Sequence, residues 1–156
     1  LTALEVPLEG NFDADRFKLY FADTGLLVAM MDEMTREDVR VNRNLGVYKG
    51  AIYENLAADA LMKQNYHLYY FKRENSRLEE DFFVRSREGV LPVEVKAGNN
   101  TAKSLSELVS SSRYPQIHSG IKFAKANLGR ANGILTVPYF CLFLLSRFLH
   151  ADGHLV

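Results

Sequence analysis

The chain has a single cysteine, Cys141, among its 156 residues. No disulfide can form within it, so a reducing compartment, the cytoplasm, is expected. Charge of either sign is missing in excess: 19 Lys and Arg stand against 19 Asp and Glu. That balance removes the cheapest electrostatic argument for nucleic-acid binding. Long hydrophobic runs are missing as well. The longest, over 134–145, has 12 residues, short of the roughly 20 that cross a bilayer. A buried element is expected there, with no membrane partner. No signal peptide, internal repeat, low-complexity segment or Gly-rich loop ending in Gly-Lys-Ser/Thr is visible. The histidines at 67, 118, 150 and 154 lack metal-ligand spacing, except for the last two at i, i+4 in a short tail. The chain opens on Leu, not Met, and a longer parent protein is expected.

What is present fits a globular fold: 47% hydrophobic and 12% aromatic residues, enough for one domain with a real core. Three stretches are expected. Residues 1–46 read as an amino-terminal connector, polar and irregular at first, then one strand (17–22, FKLYFA) and one helix capped by Asp23 or Thr24. A loop or short helix follows over 35–46. Residues 47–149 read as the core, with an apolar carboxy-terminal element, and 150–156 as a tail. Residues 97–156 carry six basic groups and two acidic ones, with Lys103, Arg113, Lys122, Lys125 and Arg130 as the bulk of a modest basic region.

Within the core, residues 50–64 (GAIYENLAADALMKQ) give the clearest helix. Glu54 lies on its apolar stripe with Ala57, Ala58 and Leu61, at i+3, i+4 and i+7. An unpaired carboxylate buried there is costly, so Glu54 needs a cation, a metal ion or hydrogen-bond donors. Residues 67–72 and 80–85 read as strands, and Glu88-Gly89 turns the chain into residues 90–98. Thr101 is a candidate cap for a helix through 112, with Leu105, Leu108 and Val109 inward. A strand over 121–125 follows, then a loop over 129–133. Pro138 suits the first turn of a helix through 149, and a strand over 134–145 is the alternative. The order helix-strand-strand-strand-helix-strand defines an α/β domain with a mixed central sheet flanked by helices.

The organising stretch is 90–98, VLPVEVKAG. Leu91, Val93, Val95 and Ala97 point to one face of an interior strand, and Glu94 and Lys96 to the other. The plain explanation is an ion pair satisfying two half-buried charges. The sharper one makes Glu94 a metal ligand beside a lysine that activates water or steadies a phosphate. Asp81 lies on the adjacent strand, about 4.8 Å away by ordinary sheet spacing. Carboxylates so placed suit Mg²⁺ or Mn²⁺.

The set Glu54, Asp81, Glu94 and Lys96 on helix, strand and strand resembles the PD-(D/E)XK nuclease superfamily. More closely, GAIYENLAADAL, EEDFF and LPVEVKAG resemble the domain of unknown function numbered 4143, with FKLYFADTGLL and VPYFCLFLL similar to its flanking segments. The resemblance covers roughly 16–145. It implies a restriction-endonuclease-like core and a catalytic set of Glu54, Asp81, Glu94 and Lys96. Asp81 and Glu94 are the implied metal ligands, and Glu54 and Glu79 further candidates. Glu80 stands where the superfamily has proline. The resemblance also implies a P-loop ATPase domain before residue 1, the only place for ATP. DNA is a candidate partner, and a homo-oligomer through the apolar carboxy-terminal element another. A non-catalytic module on the same fold is the competing expectation.

Overall fold

In the computed structural model, residues 1–43, 46–76, 78–98 and 101–150 are described, apart from the side chains of Val47, Phe148 and His150. His154 lies outside this range. The helices are α1 (Thr24–Ala29), α2 (Glu33–Arg40), α3 (Val47–Met62), α4 (Lys103–Ser110) and α5 (Leu145–His150). The strands are β1 (Tyr69–Lys72), β2 (Glu79–Ser86), β3 (Gly89–Val95), β4 (Gly120–Ala124), β5 (Gly129–Ala131) and β6 (Ile134–Pro138). Short 3-10 helices span Leu8–Asn11 and Tyr139–Leu144.

The strands form one mixed sheet in the order β1-β2-β3-β4-β6-β5. Strands β1, β2 and β3 are antiparallel neighbours, β3, β4 and β6 are parallel, and β5 returns antiparallel to β6. The β2–β3 hairpin closes at Ser86 and Gly89, where Gly89 has φ +128°, a conformation that strains any side chain. Parallel β3 and β4 cannot be joined by a tight turn, and α4 supplies the crossover. The α/β class, the mixed sheet and the order α3-β1-β2-β3-α4-β4 agree with the sequence expectation.

Alternation sorts the strand residues into two layers. Phe82, Val84, Leu91, Val93, Val95, Ile121, Phe123, Leu135 and Val137 pack with Ala57, Ala58 and Leu61 of α3, and with Leu142 and Leu145. Phe71, Phe83 and Val90 face the other way, against Leu108 of α4, Tyr114 and Ile117.

Several local expectations differ from the structure. Residues 1–15 are not a bare connector: Leu1, Leu4 and Leu8 are buried in the second layer, against strand residues that α4 leaves uncovered. Residues 17–22 join no strand; residues 16–21 carry no regular secondary structure. The helix after Asp23 stops at Met30, and Asp32 caps a separate α2 through the Thr35 N–H. Thr101 does not cap α4, whose N-cap is Ala102 without a side-chain bond. The expected loop at 129–133 contains β5. Pro138 ends β6 and leads into a 3-10 helix before α5, a compromise between the two readings of that stretch.

Asp23 caps α1 as expected, accepting from the Gly25 N–H at 2.5 Å and the Leu26 N–H at 3.4 Å. Asp23→Ala is expected to lower unfolding stability by about 1 kcal/mol, the usual worth of such a cap. Urea denaturation checks this, and an unchanged midpoint would remove the cap's role.

Candidate acidic site

Asp81 owes its position to an irregularity in β2. Strand β1 pairs Tyr69 with Phe83 but Phe71 with Glu80, so β2 carries one extra residue between these pairs. Directly opposed residues share a face. Glu80 therefore lies with Phe71 on the α4 side, whereas beyond the bulge Phe82 lies on the α3 side. The bulge flips the alternation and leaves Asp81 beside Phe82, towards α3; re-aiming a side chain is what bulges do. Glu54, one turn before Ala57 and Ala58 on α3, faces the same region.

Between the two carboxylates stands Lys18. Its Nζ is 2.8 Å from Glu54 Oε1 and 3.5 Å from Asp81 Oδ1, and 4.9 Å from the centre of the Tyr70 ring. The Tyr20 hydroxyl donates to the same Glu54 Oε1 at 2.7 Å. Burial pulls the Lys18 pKa down, but the hydrogen bond and charge of Glu54, with Asp81 and Glu79 behind, outweigh it and hold the ammonium above its ordinary value. Burial and the charge of Glu54 push Asp81 up, against the Val95 N–H and the charges of Lys18 and Lys96. Tyr20 is pushed far up by burial and by Glu54.

Asp81 also links this cluster to β3. Its Oδ2 accepts the Val95 N–H at 2.8 Å, in the place where the β2–β3 ladder stops at Phe82 and Val93. Val95 lies between Glu94 and Lys96. Those two side chains form an ion pair with each other on the α4 side, opposite Val93 and Val95. Glu94 is 3% exposed and its Oε2 has no hydrogen-bond partner. Glu80, 0% exposed, has none for either carboxyl oxygen.

The four residues singled out by sequence thus form two pairs, Glu54 with Asp81 and Glu94 with Lys96, joined through the Val95 amide. Glu79, on the Asp81 side, is taken up by Lys72 at 3.0 Å and the Tyr70 hydroxyl at 3.0 Å. Among the described residues, no three His, Cys, Asp or Glu side chains come together as a group able to hold a metal ion. The Glu54–Asp81 pair fits a divalent cation in charge and donor type, and Mg²⁺ binds through one or two carboxylates with water completing its shell. In this arrangement the charge between them is a lysine ammonium. A cavity of about 390 Å³, lined by Phe17, Lys18, Tyr20, Tyr66, Tyr70 and Asp81 among others, opens beside them.

Sequence reasoning passed over Lys18, Tyr20, Asn55 and Glu80. Asn55 falls off the apolar stripe of α3 but is 3% exposed and clamps the backbone of Phe21. Its signal was a polar amide next to Glu54 in the middle of α3. Elsewhere, Cys141 is a free, half-buried thiol. Phe140 and Phe143 are 77% and 67% exposed on the 3-10 helix before α5. No helix among the described residues is long and apolar enough to cross a membrane.

Fold and site define a mixed α/β domain in which helix-borne and strand-borne carboxylates meet across a half-buried lysine. The family model described as Domain of unknown function (DUF4143) matches residues 49–141, and the chain belongs to that family. No curated protein and no solved structure matches it.

Proposed function

We propose that this is a nuclease-like domain of the PD-(D/E)XK type, with a restriction-endonuclease-like core, that hydrolyses phosphodiester bonds in DNA with Mg²⁺ or Mn²⁺. The observation that carries the reading is the convergence of Glu54 and Asp81 on one half-buried cation, with Asp81 bonded to the amide between Glu94 and Lys96. In this reading Glu54 and Asp81 hold the ion. Glu94 and Lys96, on the other face of β3, act on the ion through Asp81: the amide between them bonds its Oδ2, and the Lys96 charge lowers its pKa. A divalent ion bound there polarises a phosphodiester and lowers the pKa of a bound water. The cavity beside Asp81 gives the backbone a place to enter. Glu79, committed to Lys72 and Tyr70, is left out of the ion's shell. The working protein in this proposal is cytoplasmic and carries a P-loop ATPase domain upstream, which alone binds ATP.

The second reading is a non-catalytic module on the same fold that binds nucleic acid, a partner protein or the ATPase domain. It is favoured by the closure of Glu54 onto Lys18 and of Glu94 onto Lys96, an internally neutralised set.

Calorimetric titration with Mn²⁺ separates them. The nuclease reading expects saturable binding, weakened at least tenfold (about 1.4 kcal/mol) in Asp81→Ala and less in Glu94→Ala. Absence of binding in the unaltered chain and in a Lys18→Met chain would leave the non-catalytic module.

A further inference from the structure

Lys18 reaches the carboxylates from outside the sheet. Residues 16–21 cross the face of the site without secondary structure, pinned on both sides of Lys18. On one side the Arg16 guanidinium donates to the Lys72 carbonyl at 3.3 Å and pairs with Asp13 and Glu74. On the other, Tyr20 bonds Glu54 and Asn55 holds both backbone polar groups of Phe21. The polarity of the segment is inverted: Phe17 and Leu19 are 70% and 86% exposed, while Lys18 and Tyr20 turn inward. Such an inversion wastes apolar burial unless the inward groups have a partner to meet.

The partner is the set of oxygens a metal ion needs. Glu54 Oε1 accepts from both Lys18 and Tyr20, which uses the lone pairs of that oxygen. Asp81 has Oδ2 committed to Val95, and its other oxygen faces the ammonium. A divalent ion cannot take these oxygens while Lys18 stays, because two cations would then share one shell.

We propose that residues 16–21 form an autoinhibitory strap, in which Lys18 is a built-in counter-ion that competes with divalent cations for Glu54 and Asp81. The proposal rests on the metal-binding reading above. Charging the site with metal requires Lys18 to withdraw, and an anion such as a backbone phosphate would favour that by taking the freed ammonium.

Removal of a unit charge at this range strengthens cation binding well beyond thermal energy at the dielectric of a half-buried site. Mn²⁺ should therefore bind Lys18→Met at least about tenfold more tightly than wild type, and Lys18→Arg about as wild type. In the unaltered protein, reductive methylation followed by mass spectrometry should find Lys18 slow to react, and faster at saturating Mn²⁺. This second measurement does not depend on the variants folding. Equal or weaker Mn²⁺ binding by a folded Lys18→Met, or Lys18 reactivity that ignores bound Mn²⁺, overturns the strap while leaving the metal site standing. No Mn²⁺ binding by either wild type or Lys18→Met overturns the strap and the metal-binding reading together.

Discussion

At pH 7 the Glu80→Gln chain should resist urea better than wild type by about 3 kcal/mol. Glu80 is 0% exposed on β2 and neither carboxyl oxygen has a hydrogen-bond partner. Burial, with the Asp81 charge next door, pushes its pKa up to about 9, against the weaker pull of Lys96 and Lys18. In the unfolded chain the same group ionises near its ordinary 4.5. A carboxyl raised in the folded state folds at no ionisation cost below pH 4.5. Between 4.5 and 9 it must take up a proton to fold, and each pH unit removes about 1.4 kcal/mol of stability. Gln keeps the shape and never ionises. The difference between the two chains should thus be near zero at pH 4, grow steadily through pH 7, and level off above pH 9. Urea midpoints measured from pH 4 to pH 9 read it directly. A difference that is flat with pH would mean that Glu80 is ionised and paired in the folded protein.

The bulge that separates Glu80 from Asp81 also explains how much could be read in advance. Alternation in 90–98 placed Leu91, Val93 and Val95 on the core face and Glu94 with Lys96 on the other, and the structure keeps this because β3 is held in register by β2 over Gly89–Val93 and by β4 over Val93–Val95. The stripe of α3 was legible for the same reason: one period holds from Glu54 to Leu61. Within β2 the period breaks at an extra residue, and nothing in EEDFFVR announces it. Plain alternation therefore puts Glu79, Asp81 and Phe83 on one face, whereas Phe83 lies with Phe71 in the second layer and Asp81 turns to α3. The lysine at the site was hidden for another reason. Lys18 meets Glu54 across 36 residues, and FKLYFA alternates well enough to pass for a strand. Its burial pattern is the reverse of a strand packed by its apolar face, and only the tertiary partners of Lys18 and Tyr20 decide that. The buried Leu1, Leu4 and Leu8 were hidden otherwise: their i, i+3, i+7 spacing is that of a helix stripe, but Pro7 and Gly10 leave no α-helix to carry it.

Asn55 shows what holds the segment carrying Lys18, and Asn55→Ala should lower unfolding stability by about 3 kcal/mol, three hydrogen bonds at about 1 kcal/mol each. Its Oδ1 accepts the Phe21 N–H at 2.8 Å, and its Nδ2 donates to the Phe21 carbonyl at 3.1 Å and to Thr24 Oγ1 at 3.0 Å. The amide thus bonds Phe21 as a neighbouring strand would, at the end of a segment that belongs to no sheet. Alanine leaves the Phe21 amide and carbonyl without that partner in a half-buried place, the costlier half of a lost hydrogen bond. Asn55→Asp keeps the acceptor for the Phe21 N–H but turns a carboxylate oxygen towards the Phe21 carbonyl, so it should also destabilise, and more at pH 7 than at pH 4. Loss of the clamp should act locally first. Amide exchange at Phe21 and its neighbours should speed up before the sheet is touched, because β1 to β6 make their own ladders and α3 keeps Ala57, Ala58 and Leu61 in place. Hydrogen exchange on Asn55→Ala therefore separates the two roles of the residue. Faster exchange confined to residues 16–24 makes Asn55 the latch of the Lys18 segment, whereas uniform acceleration across the chain would make it an ordinary core contact.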